Sequence, residues 1–384
     1  MLKVGARGIV DFTNFDLDQL FGMGDGSNPL LMLVWILPII LFVFYGQRIQ
    51  LYVTAGEIKK AIKKLDAYRS ESRDALLVHV RKEVRPAGDP AGLVSRFIDY
   101  FTIMPVDMDP AGIIPKIKHV VRSREDTTRR QVRALSPDMD DVQEARTQAL
   151  LEIASSLQMI HKTVNHMFLT AKRQNNYPLI LPLQMVLPFV LEQAGSLRDA
   201  IPAIRRGQPL GDGIGPMVVG RMMLGLPKED VALNTVLAKD AFEGRRVLLL
   251  KARGPAPVVG RPSDVLQSMV QTGGEAIHAI IMIDAALKME GEESATVSHG
   301  FGAAIGGIGT ERFEIEDYAS SLRIPVYSIV VKESVRDAIT VMTREIAEKA
   351  DEVREQVYEA IRENAEKGQT VLIIGVGNTA GVAQ

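Results

Sequence analysis

No cysteine occurs in the 384 residues. Disulfides, thiolate metal sites, cysteine-ligated iron–sulfur clusters and cysteine nucleophiles are excluded together. Avoidance of labile thiols fits a hot or oxidising habitat but assigns no compartment. An excess of positive charge is missing as well. The formal net charge is -2, whereas a surface that tracks phosphates shows as a basic excess, which argues against a nucleic-acid partner. Three signatures are also absent: the lysine followed by serine or threonine that completes a phosphate loop, the G-x-S-x-G serine elbow, and any repeat of solenoid period. What remains is ordinary. Charged residues at 24% and hydrophobic ones at 46% are those of a folded chain rather than a disordered one, and the length suits two or three domains of about 150 residues each.

One stretch breaks this pattern. From Pro29 to Tyr45, 17 residues carry no charge, and a helix continued through Gly46 and Gln47 reaches about the 20 residues that cross a hydrocarbon core of roughly 30 Å. A secretory signal would carry positive charge immediately before the run and a small-x-small cleavage site after it. Instead "DFTNFDLDQLFGMGDGSN" is acidic and no such site follows. A buried helix of a soluble protein would show a polar face. The expectation is a single transmembrane helix over residues 29–49, with Pro38 placed to kink it, as lipid-embedded helices tolerate. Residues 1–28 hold Lys3 and Arg7 against Asp11, Asp16, Asp18 and Asp25, whereas residues 46–85 hold ten Lys or Arg and five acids. The positive-inside rule then leaves residues 1–28 outside and the body in the cytoplasm. The first expected partner is therefore the lipid bilayer, held through residues 29–49.

Residues 50–208 read as mainly helical. Ile58, Ile62, Leu65, Leu76 and Val80 recur at roughly helical spacing, with lysines between the early ones. Such a helix either packs on the domain or lies along an anionic inner leaflet. Pro105, Pro110 and Pro115 predict short or extended pieces rather than one element. A long helix is expected over 139–172, capped by Asp138 after Pro137. A second is expected over 179–206, interrupted at Pro182, Pro188 and Pro202, its apolar run forming the core of a helical domain or else touching the membrane interface. From 209 to 384 the texture changes. The runs "RRVLLLKA", "AIHAIIMID", "IPVYSIVV" and "QTVLIIGVG" alternate with helical stretches. Continuous apolar character suits strands buried on both faces of a parallel sheet, and the alternation predicts an α/β fold with a Rossmann-like, mostly parallel sheet. "MVVGRMMLG" and "FGAAIGGIG" are each readable as strand or helix.

Glycine-rich junctions beside these strands collect the candidate ligand-binding residues. "LGDGIGPMV" holds Asp212, Gly213 and Gly215. Amides in such a turn can nest an anion at a helix N-terminus, while Asp212 can orient a metal or a hydroxyl. At the end of "RRVLLLKA" come Lys251, Arg253, Gly254 and Arg261, cations beside flexible backbone at the ligand edge of an α/β sheet. They suit phosphate or carboxylate recognition, or else pin a loop through its carbonyls. Asp284 closes "AIIMID", a place for magnesium or a ribose hydroxyl. "VLIIGVGNTAGV" offers Gly375, Gly377 and Asn378, the start of a dinucleotide fingerprint without its third glycine or its helix. His299 is a candidate base. His161 and His166, five apart, do not share a helix face. These patterns assign no catalytic residue, metal or cofactor.

Together the span, "GDGIGP", "KARGPAPVVGRPSD", "IIMIDAALKMEGE" and "VLIIGVGNTAGV" resemble, over nearly the whole chain, a conserved family of uncharacterised archaeal membrane proteins. The resemblance implies an archaeal source and carries over no active residue. Two functions are expected from the residues. One is a membrane-anchored cytoplasmic module that binds a nucleotide or another phosphorylated small molecule. The other is a non-enzymatic scaffold at the inner membrane face, a homo-oligomer packed through its helices and through runs such as "GAAIGG".

Overall fold

A single helix carries the apolar run into the body of the protein. In a computed structural model describing residues 29–100, 112–174, 180–271, 276–306 and 309–382, helix α1 spans Pro29–His79 with Pro38 inside it. It ends in a π-helical turn, Val80–Val84, closed by Arg85 in the left-handed conformation. The expected outer segment 1–28 lies outside the described residues. The basic amphipathic helix expected after the span is the same helix continued. Ile58, Ala61, Leu65, Tyr68, Ser72 and Leu76, continued by Val80 in the π-turn, are its buried stripe, recurring every three or four residues as one helical face must.

Helices α2 (Ala91–Ile98), α3 (Ile113–Arg133), α4 (Asp141–Arg173) and α5 (Ile180–Arg206) follow. Three details differ from the sequence expectation. Pro115 sits in the first turn of α3, where its missing N–H has no helical partner to lose, so it does not break α3, which runs for 21 residues; the breaks expected at Pro105 and Pro110 lie outside the described residues. Asp140, not Asp138, caps α4, its carboxylate accepting from the Gln143 amide at 2.8 Å. Pro188 and Pro202 stand inside an uninterrupted α5. Helices α1, α4 and α5 share one core that includes Leu65, Leu157, Phe168, Leu183 and Ile201. Their register is fixed by polar contacts. His79 Nε2 meets Thr147 Oγ1 at 3.1 Å and His161 faces Asp66 at 3.7 Å, so α4 runs antiparallel to α1. Gln184 donates to Glu57 at 2.8 Å and the Arg198 guanidinium covers the Tyr68 ring at 4.4 Å, so α5 runs parallel to it.

A 3-10 turn at Gly211–Gly213 opens the second region. It comprises α6 (Ile214–Met222), β1 (Lys228–Ala232), β2 (Thr235–Phe242), β3 (Arg245–Ala252), α7 (Pro262–Gln271), β4 (Ile277–Leu287), β5 (Val297–Phe301), α8 (Thr310–Ser321), β6 (Val326–Glu333), α9 (Val335–Ile339), α10 (Arg344–Asn364) and β7 (Thr370–Gly375). The seven strands form one sheet in the order β1-β2-β3-β7-β4-β6-β5. The four central strands are parallel, and antiparallel strands flank them: β1 and β2 on one side, β5 on the other. The architecture is thus a helical N-terminal region joined to an α/β region with a mixed, centrally parallel sheet. Helices α6 and α10 cover one face through Val219, Ile346 and Val353, and α7 and α8 cover the other through Leu266 and Ile315. That double cover is why β7 is buried at every position and reads as a continuous apolar run. "MVVGRMMLG" is helical, within and just after α6, whereas "FGAAIGGIG" ends β5 and continues as loop through the described residues. Helix α3 straps the regions together: Lys118 Nζ reaches Glu314 at 2.6 Å and Asp264 at 3.2 Å, and Arg122 adds a second contact to Asp264.

Candidate functional site

The carboxyl ends of the parallel strands share one edge, and two pieces of chain press onto it: the first turn of α6 and the segment after β7. Glycines make this contact possible. A Cβ at Gly215 would lie 2.3 Å from the carbonyl oxygens of both Ile283 and Val376, and one at Gly375 would lie 2.6 Å from Gly215 O. One at Gly213 would lie 2.7 Å from Asn378 O. At Gly377, where φ is +129°, it would lie 1.8 Å from Asp212 O. Only glycine fits at that distance and dihedral. The glycine-rich junctions therefore meet, but backbone of the same chain fills their faces. The amide nest expected around Gly213 and Gly215 is packed on protein, which leaves no phosphate cradle there.

Carboxylates gather along this edge. Asp212 Oδ2 accepts from the Asn378 amide at 2.8 Å, and Asp284 Oδ1 accepts from Ala285 N at 2.8 Å. Asp284 is not a strand terminus as expected, since β4 continues to Leu287. Glu333, the last residue of β6, is 0% exposed, and among the described residues neither of its carboxylate oxygens has a hydrogen-bond partner. Its Oε2 lies against Gly211, 2.5 Å from where a Cβ would stand. Burial pushes the Glu333 carboxyl up to about 8, and the negative charges of Asp212 and Asp337 push the same way. Burial also raises Asp284 well above the usual carboxylate range, with Asp212 and Glu333 adding to it and the amides of Ala285 and Gly306 opposing. Asp212 is raised by burial against the Asn378 amide. Burial favours the protonated form of all three carboxyls, and repulsion by neighbouring carboxylates adds to it at Asp284 and Glu333. Among the described residues no three His, Asp or Glu side chains are placed to share one metal ion. Glu333 is no sequence candidate, because Glu333–Lys367 reads as one or two long helices. The S-x-x-D capping box that follows it, Ser334 with Asp337, turns the chain, and the Glu333 carboxylate packs against Gly211 of the 3-10 turn.

A cleft of about 480 Å³ opens beside the trio, between α3, α4 and the loop from β3 to α7. Arg253, Gly254, Arg261 and Asn378 line one wall, and Glu125, Arg129, Glu144 and Glu152 line the other. Arg261 Nη2 meets Glu125 at 2.9 Å, and Arg253 faces Asp230 at 3.5 Å. The Thr379 hydroxyl sits among the carbonyls of Arg253, Ala256 and Val258 at 3.3, 2.8 and 3.0 Å, so the terminal segment holds the loop in place. Lys251 is not part of this wall. It lies within β3 opposite Gly375, 1% exposed, donating to Ala252 O at 3.1 Å. Burial, with Lys228 nearby, lowers its amine to about 8. His299 stands on β5, across the sheet from the cleft, and meets Gln356 of α10 at 2.8 Å.

Two family models match the chain: the Protein of unknown function (DUF1512) N-terminal domain over residues 32–207, and the Domain of unknown function (DUF1512) C-terminal over residues 210–383. The chain belongs to the DUF1512 family. No curated protein and no solved structure matches it. The matched segments of this DUF1512 protein adjoin just before the 3-10 turn that carries Asp212. The carboxylate trio therefore belongs wholly to the C-terminal domain, whereas the cleft is built by both domains.

Proposed function

We propose that this DUF1512 protein is anchored in the cell membrane by the first part of α1, with its body in the cytoplasm, and binds a phosphorylated small molecule such as a nucleotide between its two domains. The observation that carries the ligand reading is the position of the cleft. It opens beyond the carboxyl ends of β3 and β7, where α/β sheets take their ligands, and its volume of about 480 Å³ suits a small molecule. Arg253 and Arg261 supply guanidinium forks for a phosphate. Their present partners, Asp230 and Glu125, are 59% and 51% exposed, so exchanging them for a ligand anion gives up little. The facing carboxylates Glu125 and Glu152 suit the magnesium ion that a polyphosphate carries. Asn378 lines the cleft and its backbone amide hydrogen-bonds Asp212, which links the occupant to the carboxyl trio. The anchor reading is supported by Ile36, Leu37, Ile39, Ile40, Leu41 and Tyr45, all exposed side chains on α1.

The test is calorimetric titration of the full chain in detergent with nucleotides and sugar phosphates, with and without magnesium. At least one compound is expected to bind, and the double variant Arg253→Ala/Arg261→Ala to weaken it at least tenfold. A silent panel, or an affinity unchanged in the double variant, overturns the reading. Separately, recovery of the intact chain in the high-speed supernatant of a detergent-free lysate would remove the anchor.

One observation favours the scaffold reading instead. Strand β5 is a free sheet edge, and Phe301 on it is 90% exposed, an arrangement that invites pairing with a second copy. A strictly monomeric mass in detergent defeats that alternative.

A further inference from the structure

Helix α5 has two unlike outer halves. Its inner face is core, with Ile180, Leu183, Leu187 and Ala194 buried. Over its first turns the outward side chains are Leu181, Pro182, Met185, Val186, Pro188 and Phe189, all exposed, Met185 by 75% and Phe189 by 70%. The next exposed positions are Glu192 and Gln193. The outer surface is apolar up to one level and polar beyond it.

The helix register locates that level. Gln184 of α5 stands beside Glu57 of α1, and Arg198 beside Tyr68, so Leu181 lies close to the height of Tyr52 and Val53, themselves exposed. Helix α4 runs the other way, which brings its last turns, with exposed Leu169, to the same height. Further toward the start of α1, past Gln47, Arg48 and Gln50, come exposed Ile36, Leu37, Ile39, Ile40, Leu41 and Tyr45. Counted at 1.5 Å per residue from the end of the expected span at residue 49, Leu181 stands within about 8 Å and Phe189 about 15–20 Å away, so the membrane-side end of this face reaches the headgroup layer in which interfacial side chains lie. Exposed cations stand beside this band: Lys59, Lys60, Lys63 and Lys64 on α1 at the height of its outer end, and Lys172 and Arg173 on α4 at the height of Leu181. An apolar flank edged with lysine and arginine is complementary to an anionic leaflet. By length and hydropathy α5 itself could cross a bilayer. The charges at Arg198, Asp199, Arg205 and Arg206, and the core it shares with α1 and α4, place it at the surface instead.

We infer that the first turns of α5, with Tyr52, Val53 and Leu169, form a lipid-contacting collar that seats the helical domain on the anionic face of the bilayer. The collar holds the body at the leaflet, so the cleft works at the membrane surface rather than at the end of a free tether. The inference rests on the anchor reading above, and one experiment separates the two. Trp35 is the only tryptophan of the chain and lies in the proposed span. The wild-type protein and a Trp35→Phe/Leu181→Trp variant are each reconstituted in vesicles containing phosphatidylglycerol, with and without lipids brominated on the acyl chains near the headgroup. Fluorescence of Trp35 reports the span and that of the introduced tryptophan reports the collar. Bromine is expected to quench both, and the introduced tryptophan to emit at shorter wavelength than in water. If Trp35 is not quenched, the anchor reading fails and the collar with it. If Trp35 is quenched while the introduced tryptophan emits as in water, the collar alone is wrong. A blue-shifted but unquenched signal means that protein, such as a second copy of this chain, covers the face, and it also overturns the inference.

Discussion

In the helical domain the Glu144 carboxylate is 2% exposed and fully engaged: Arg129 Nε donates at 2.7 Å, Arg133 Nε at 2.5 Å and Gln148 Nε2 at 3.1 Å. In the α/β domain the Glu333 carboxylate is 0% exposed and meets no donor among the described residues, with Asp212 and Asp337 as its charged neighbours. The residue type and the depth are alike; the surroundings are opposite. Glu144 joins α3 to α4 and fixes their crossing, a closed polar network whose work is structural. Glu333 carries a desolvation penalty that hydrogen bonding does not offset. A fold retains such a group where some other event, a proton or a ligand, completes it. The comparison therefore separates polar burial that builds the fold from polar burial that awaits a partner.

The most drastic way to break the contrast is to pry the open site apart. Gly377→Ala would set a Cβ against Asp212 O and force a non-glycine residue to φ of +129°, and Gly215→Ala would wedge the first turn of α6 off β4 and β7. Each is expected to cost about 3 kcal/mol or more, read as a lowered urea midpoint of the full chain in detergent. Wild-type stability in either variant would mean that this seam is not closed as described.

Second in size is the pH dependence of Glu333. Its carboxyl titrates near 8 in the folded protein against 4.5 ordinarily, so between those values the folded state holds a proton the unfolded state has lost. Stability falls as pH rises from about 4.5 to about 8 and stays lowered above that. Glu333→Gln removes the penalty. The variant is expected to match wild type at pH 5 and to exceed it at pH 9 by on the order of 3 kcal/mol, measured by denaturant unfolding at both pH values. A wild type at least as stable as the variant at pH 9 would show that Glu333 has a partner after all.

The partnered carboxylate gives the opposite sign. Glu144→Gln is expected to destabilise the protein at pH 7 by about 2 kcal/mol, below the usual cost of breaking a buried pair. The arginines left behind are 36% and 47% exposed and recover water readily. The same glutamate-to-glutamine change thus lowers stability in one domain and raises it in the other.

How far the sequence foretold this arrangement depended on periodicity. The central strands β3, β4, β6 and β7 were legible as unbroken apolar runs because helices cover both their faces. The outer strands were not: "KEDVA" of β1 and "VSHGF" of β5 sit at sheet edges, where half of each strand meets water and no apolar pattern is needed. Of the candidate residues, Asp212, Gly213, Gly215, Asp284, Gly375, Gly377 and Asn378 come together at one edge. Arg253, Gly254 and Arg261 stand in the adjoining cleft wall. Lys251 was misjudged because a lysine that ends an apolar strand reads as exposed, whereas its amine lies inside the layer beside Ala252 O. Glu333 went unnoticed because it reads as the first residue of a helical stretch, Glu333–Lys367, and nothing in one dimension shows the Gly211 turn packing against its carboxylate.

The smallest expected effect tests whether the cleft is an open site in the same sense as Glu333. Arg253 has a side chain 53% exposed and a single distant partner, Asp230 at 3.5 Å. An exposed pair of that geometry contributes under about 0.5 kcal/mol, so Arg253→Ala is expected to leave the unfolding midpoint unchanged within error. Arg261 is 19% exposed and closer to its acid, and Arg261→Ala is expected to cost about 1 kcal/mol. If both arginines serve the ligand, each substitution weakens binding far more than it weakens the fold, and the two losses are of similar size despite the unequal stabilities. If the binding loss instead follows the stability loss, with Arg261 dominant and Arg253 silent, the arginines pin the loop as Arg129 and Arg133 pin α4, and the cleft belongs with the closed network of the helical domain.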